Sequence, residues 1–172
     1  NFAPGDIYKN LKTKTQTQNQ EFYGKNFLVN DSLLALNWNL GSDTKKIGNY
    51  TCYKATSSVP TDVLTWYSFS WDSLRKKTDS TSSGESQIKM TTIEAWYTPQ
   101  LPIGNGPADY VGLPGMILEV SAGDTTLLCY KIVLNPEEKI EIKVPSKGKV
   151  VTKTVYKETI TEKMKEFRNN RM

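Results

Sequence analysis

Three carboxylates flank one loop rich in proline and glycine near the middle of the chain: Glu94, Asp109 and Glu119. Two carboxylates can act as general acid and base when one cleft holds both and separates their pKa values. The sequence shows only that these acids lie near the same loop, and such acids are more often solvated than catalytic. We therefore expect a protein that is not an enzyme, with a carboxylate-dependent hydrolase using Glu94 and Asp109 as the alternative.

The rest of the composition narrows the chemistry further. The chain has no histidine, which excludes Ser–His–Asp triads, Cys–His dyads and nearly all zinc enzymes, and we expect neither a metal nor a cofactor. The net charge of +4 arises from Glu137 onward, in a tail that mixes lysine with glutamate rather than with aromatic residues. No apolar run approaches the roughly 20 residues of a membrane span. We expect no nucleic-acid partner and no transmembrane segment.

The loop itself, residues 98–120, reads TPQLPIGNGPADYVGLPGMILEV. Proline fixes φ and glycine permits positive φ, so this composition predicts a fixed backbone path. A phosphate-binding loop would open into a helix, whereas a strand is predicted at 116–121. We interpret the loop as a rigid element whose Leu113 and Pro114 fill the core or the end of a sheet. The alternative is a partner-binding surface with Tyr97, Tyr110 and Leu113 exposed as anchors. The residues of this candidate site are Trp96, Tyr97, Pro107, Tyr110, Gly112, Leu113, Pro114 and Gly115.

Alternating apolar and polar residues predict a series of short strands without intervening helices. The predicted strands lie at 6–25 (largely polar, with a disordered arm as the alternative), 27–29, 34–40, 45–55, 63–71, 88–97, 116–121, 125–134 and 139–144. The polar stretch 75–86 is typical of an exposed loop.

The C-terminal segment 152–170 has a different period. Tyr156, Ile160, Met164 and Phe167 fall on one stripe of a helix, which Thr152 or Thr154 can cap. The predicted fold is therefore mainly β: a meandering, curved antiparallel sheet, half-barrel or barrel-like, with one amphipathic C-terminal helix. The whole of 1–172 is predicted to form a single β-rich domain.

One motif resembles a known family. Gly112-Leu113-Pro114-Gly115-Met116-Ile117, with Gly106-Pro107 and Ala95-Trp96-Tyr97 before it, resembles the signature of the GLPGLI family of Bacteroidetes envelope proteins. Met116 stands where the family has leucine, which is a volume-conserving change. The segment 47–55 (IGNYTCYKA) and the chain from Cys129 through the C-terminal helix are similar as well, so the likeness runs from Tyr8 to the end.

The resemblance carries expectations about location and partners. The family has no established activity, and the likeness implies an exported protein of a Gram-negative envelope, in the periplasm, at the outer membrane or on the cell surface. It also implies that this chain is the C-terminal part of a longer domain. The implied partner is an outer-membrane protein such as a TonB-dependent transporter, or an N-terminal fragment of the same protein.

Two covalent features depend on the compartment. Cys52 and Cys129 lie in apolar, strand-like settings and are either buried thiols or a disulfide, and the export implied by the resemblance favours the disulfide. Asp-Ser and Asp-Thr pairs resemble the O-glycosylation motif of Bacteroidetes, although turn-favouring residues have the same composition. The acceptor positions would be Ser32, Ser73, Ser80 and Thr125.

Together these observations predict a non-enzymatic accessory protein of an envelope that acts by binding. Its target would be an outer-membrane protein or, alternatively, an apolar ligand held in a concave sheet. A third interpretation is that the chain is one piece of a larger complex. In that case a partner strand would be missing along residues 8–25, and an open sheet edge would show it.

Overall fold

The computed structural model describes residues 3–71 and 87–170, and these form two β-sheets and two helices. The first sheet has the strand order β1-β2-β3-β9, and the second has β4 to β8 in chain order. The strands are β1 (Ile7–Asn10), β2 (Thr15–Phe22), β3 (Lys25–Ser32), β4 (Asn39–Ile47), β5 (Tyr50–Pro60), β6 (Met90–Thr98), β7 (Met116–Ala122), β8 (Thr125–Leu128) and β9 (Lys149–Val151); the helices are α1 (Thr61–Leu64) and α2 (Lys153–Asn169).

The predicted mainly β fold with one long C-terminal helix is confirmed. Neighbouring strands are antiparallel except β3 and β9, which are parallel. The strands form two sheets instead of one meander, and in the described part of the chain neither sheet closes into a barrel. The prediction of a single domain over the whole chain stays a prediction.

The second sheet has its core on one face. Successive side chains of a strand point to opposite faces, so β6 turns Ile93, Ala95 and Tyr97 inward while Glu94 and Trp96 face outward. The central loop completes this core with Tyr110 and Leu113. The buried cluster contains Ala55, Val59, Ile93, Ala95, Tyr97, Tyr110, Leu113, Ile117 and Val120.

Helix α2 packs on the first sheet through the predicted stripe. Tyr156, Ile160 and Met164 are buried and cluster with Phe27, Val29, Trp66 and Val151. The helix begins where sequence analysis placed it, because the Thr152 side chain accepts a hydrogen bond from the backbone N–H of Val155 at 3.2 Å.

Several predicted strand boundaries are wrong. Residues 63–71 form part of α1 and turns rather than a strand, because Trp66 turns into the core against Tyr156 instead of standing on a sheet. The predicted strand 45–55 is split by a turn at Gly48, whose φ of +58° reverses the chain between β4 and β5. Residues 34–38 are not a strand, residues 129–134 do not continue β8, and 139–144 carry no strand pairing. The predicted loop 75–86 lies outside the described residues.

The predicted disulfide does not form in the structure. Cys52 is a buried free thiol on β5, and Cys129 is a free thiol just after β8. Three strand spacings separate β5 from β8, which places the two residues about 14 Å apart across the sheet. A disulfide needs Cα atoms within about 7 Å, so the bond would require a different sheet order.

Candidate functional site

A buried ionic cluster lies where the two sheets and α2 meet. The Asp109 Oδ1 accepts a hydrogen bond from the Gln16 Nε2 of β2 at 2.6 Å. The same oxygen pairs with the Nζ of Lys153, the first residue of α2, at 3.3 Å. Lys9 of β1 donates to the carbonyl oxygens of Gly106 and Ala108 on the same loop, the latter at 2.7 Å. The cluster therefore joins the loop to both the first sheet and the helix.

Burial shifts the pKa values of two residues beside Asp109. Desolvation lowers the pKa of Lys9 to about 8, and the Asp109 carboxylate acts in the opposite direction. Burial raises the pKa of the neighbouring Tyr110 to about 12, and Asp109 adds to that rise. Because the Asp109 carboxylate accepts from an amide on β2 and pairs with an ammonium group on α2, it holds these elements together.

A cleft of about 560 Å³ opens beside Asp109. Its lining combines hydroxyl and charged side chains with apolar ones, including Tyr67, Lys89, Tyr110 and Asp124. The buried carboxylate at its wall is Asp109, which is paired with Lys153. The cleft could accept a small polar molecule, but its geometry does not define a reaction.

The other two sequence-predicted acids lie on the outer face of the second sheet. Glu119 pairs with Lys45 at 2.7 Å, and Glu94 pairs with Lys54 at 3.1 Å. The hydrogen bond from Lys54 is the main reason that the pKa of Glu94 is lowered. Because β6 alternates its faces, Glu94 points away from the core that Asp109 adjoins. The structure does not bring Glu94 and Asp109 into one cleft, so the hydrolase alternative has no geometric support.

Trp96 lies between these two ion pairs. The Lys45 Nζ is 4.4 Å from the centre of its ring, and the Lys54 Nζ is 5.8 Å away. Such stacking of ammonium groups on an indole contributes about 0.5–1 kcal/mol at exposed sites. This candidate residue therefore lies within a polar surface network.

The central loop is a structural plug. Leu113 is buried as predicted, whereas Pro114 is exposed. Tyr97 and Tyr110 are buried too, so the alternative in which these two and Leu113 are exposed anchors is wrong: their side chains complete the core of the second sheet. The remaining candidates are Pro107 (half-buried), Gly112 (exposed, φ +94°) and Gly115 (buried).

The proposed acceptors for O-glycosylation are scattered. Ser32 is exposed at the end of β3, and Thr125 is half-buried at the start of β8. Ser73 and Ser80 lie outside the described residues. Modification at all four positions stays a prediction.

Among the residues that the structure describes, a long exposed stretch with many apolar side chains lies between β8 and β9. We call residues 129–148 the crossover segment, because it connects the second sheet to the first. Tyr130 is 95% exposed, and six other large apolar side chains, one at the end of β8 and five in the crossover segment, are exposed to solvent. They are Leu128, Val133, Leu134, Ile140, Ile142 and Val144. Sequence analysis found the alternation at 139–144 but not that both its faces are uncovered.

An apolar groove adjoins the start of the crossover segment. It has a volume of about 430 Å³ and is lined mainly by aliphatic side chains. Its lining includes Leu101, Met116, Leu118, Leu128 and Ile132. A concave apolar surface next to exposed apolar side chains is typical of a binding site.

The outer edge of the first sheet is also open. β1 is the terminal strand of that sheet, and in the described residues its outer side is not paired with another strand. Ile142 and Pro145 of the crossover segment lie near this edge across a gap of about 240 Å³. The polar strands predicted at 6–25 are thus confirmed as β1 and β2, and the interpretation that a partner strand is missing along this edge stays a prediction.

These features define a two-sheet, mainly β protein with a buried apolar interior and an exposed apolar surface. Residues 38–119 match a family model described as "Protein of unknown function (Porph_ging)". The matched range covers just under half of the chain and includes β4 to β6 and the central loop. No curated protein and no solved structure matches the chain.

Neither helix in the described ranges is long and apolar enough to cross a membrane. Within the same residues, no group of three or more Cys, Asp or Glu side chains is placed to hold a metal ion.

Proposed function

We propose that this protein is a non-enzymatic accessory protein of a Gram-negative cell envelope that binds another protein through residues 128–134 and the apolar groove. The observation that carries the proposal is the exposure of Leu128, Tyr130, Val133 and Leu134 beside that groove. A folded protein rarely leaves such a continuous apolar surface in water unless a partner covers it.

The surface has the composition of a protein interface. Tyrosine is enriched among the residues that contribute most of the binding energy in known interfaces, and the 95% exposed Tyr130 is the anchor best placed to enter a partner. The partner that we favour is an outer-membrane protein such as a TonB-dependent transporter, and an N-terminal fragment of the same protein is the other candidate. The GLPGLI-like motif supports the envelope location, at the periplasm, outer membrane or cell surface.

Site-specific photocrosslinking in the source cells tests this proposal. A photoreactive phenylalanine analogue at Tyr130 should give a covalent adduct with one outer-membrane protein, identified by mass spectrometry after fractionation. The same analogue at Tyr23, which is 76% exposed in the turn between β2 and β3, is the matched control and should give no such adduct. Equal adducts from both positions, or none from Tyr130, would contradict the proposal.

The apolar groove favours a second candidate, the carriage of an apolar ligand. Its aliphatic lining and volume of about 430 Å³ suit a single acyl chain or a similar small apolar molecule. Titration with a fluorescent fatty acid should show saturable binding, and Leu128→Glu should weaken it at least tenfold by placing a charge in the groove. Val155→Glu, on an exposed position of α2, is the control and should leave binding unchanged.

A further inference from the structure

Residues 139–144 of the crossover segment are unpaired and have the alternating sequence KIEIKV. Ile140, Ile142 and Val144 are 69%, 77% and 51% exposed, and in an extended conformation they would share one face. Pro136 and Pro145 bound the stretch. In the described part of the chain no strand pairs with it. An alternating apolar strand left in water is a template for pairing with another strand.

The charged side chains of this stretch form only a weak ion pair within their own chain. The Lys143 Nζ lies 3.6 Å from the Glu141 Oε2, with both side chains more than three-quarters exposed. Exposed pairs of this kind contribute little, so these charges can change partners at small cost.

We propose that residues 139–144 pair antiparallel with the same residues of a second copy of this chain, with Ile142 opposite Ile142. This register places Ile140 opposite Val144 and so builds one continuous apolar face from six side chains. On the other face Glu141 lies opposite Lys143 twice, as the two-fold symmetry requires. The stretch is thus complementary to itself in both apolar surface and charge.

Neighbouring registers are less favourable. In a register centred on Glu141, Glu141 lies opposite Glu141 of the second copy. Lys139 then lies opposite Lys143, so like charges face each other at every charged position. Centring it on Ile140 places Glu138 opposite Ile142 on the apolar face. A shift by one residue turns every apolar side chain against a charged one. Only the register centred on Ile142 satisfies both faces.

Proline also fits this register. If the Ile142 pair is hydrogen-bonded, the pair of Ile140 with Val144 is hydrogen-bonded as well, because such pairs alternate along an antiparallel ladder. Pro145 then lies opposite Lys139 at a position without hydrogen bonds, where its missing N–H has no cost. The prolines end the ladder at both sides.

The proposed dimer is separate from the docking of another protein, since docking uses residues 128–134 and the groove. The interface is small, so we expect a weak dimer whose population rises with concentration. Sedimentation equilibrium of the purified chain, from micromolar to millimolar concentration, measures its dissociation constant. This assay contains no other protein, and its result is independent of the photocrosslinking at Tyr130.

Charge exchange tests the register. Glu141→Lys or Lys143→Glu alone should raise the dissociation constant at least about fivefold, because each change turns two attractive cross-strand pairs into repulsive ones. A mixture of the two single variants should form a heterodimer at least as tight as the native dimer, and the double variant should recover native affinity. Glu162→Lys, exposed on α2, is the control and should leave the constant unchanged.

Three results would overturn the inference. The first is a monomer at every concentration, and the second is a dimer that both single charge changes leave intact. The third is a mixture of the single variants that does not associate, since that would indicate a different register. All substituted side chains are exposed, and circular dichroism should show native folding in each variant.

Discussion

The ion pair of Asp109 and Lys153 should contribute strongly to the packing of the two sheets and α2, and substitution of Asp109 tests this. The side chains of Asp109 and Lys153 are only 10% and 18% exposed, and their charged atoms are 3.3 Å apart. Asp109→Ala would leave the Lys153 ammonium group buried beside the Trp66 ring and deprive the Gln16 amide of its acceptor. Removing one partner of a buried pair costs about 3–5 kcal/mol of unfolding free energy.

The outer face of the second sheet supplies a matched control. Glu94 pairs with Lys54 at 3.1 Å, a similar distance, but its side chain is 42% exposed. Glu94→Ala should cost less than about 1 kcal/mol, because solvent screens an exposed pair. In a chain of this size, 1 kcal/mol corresponds to about 2–4 °C in Tm, so Asp109→Ala should lower Tm by roughly 6–20 °C.

Urea unfolding followed by tryptophan fluorescence measures these free energies. A double-mutant cycle with Lys153→Met should show coupling: the double variant should be more stable than the sum of the two single losses predicts, by about 1–3 kcal/mol. Two results would contradict this inference. One is a loss of unfolding free energy in Asp109→Ala as small as that in Glu94→Ala, and the other is strict additivity of the losses in Asp109→Ala and Lys153→Met.

Three further predictions concern packing and pH. Gly115→Ala should prevent native folding or lower Tm strongly, because a Cβ there would lie 2.2 Å from the Thr98 carbonyl oxygen. Thermal unfolding of the variant measures this loss of stability. Ile160→Ala should cost about 2–5 kcal/mol in urea unfolding, since this fully buried side chain packs between α2 and the first sheet; a loss below 1 kcal/mol would contradict that packing. The pKa of Lys9 is about 8 in the folded protein, whereas that of an unperturbed lysine is 10.5. Between about pH 8 and pH 10.5 the unfolded chain therefore binds a proton at Lys9 that the folded protein has lost. Stability should therefore rise with pH through this window, and Lys9→Met should remove that part of the rise when urea unfolding is repeated across it.

Local patterns in the sequence predicted the elements that are formed by contacts between residues close together in the chain. The stripe from Tyr156 to Met164 and the cap at Thr152 identify α2, because helix contacts repeat within four residues. The turn at Gly123 and the alternation around it likewise predict the β7–β8 hairpin. The strand predicted at 63–71 is wrong, because Trp66 is buried there by contact with Tyr156, a residue distant in the sequence.

The candidate site could be predicted only in part, for the same reason. Asp109 was identified from its place in the loop, but its partners Gln16 and Lys153 lie 93 and 44 residues away in the chain. Their types, a strand glutamine and a helix lysine, are ordinary surface residues in the sequence. No local pattern distinguishes them from solvated ones.

By itself the sequence determined a mainly β chain with a plug-like loop and one C-terminal helix, because periodicity and backbone restriction act over a few residues. The tertiary structure alone decided that the strands divide into two sheets and that Cys52 lies three strands from Cys129. It also decided that Tyr97 and Tyr110 are core residues while Tyr130 and Ile142 stand in solvent. These outcomes depend on which distant segments cover one another, and burial is a property of that arrangement rather than of any single stretch of residues.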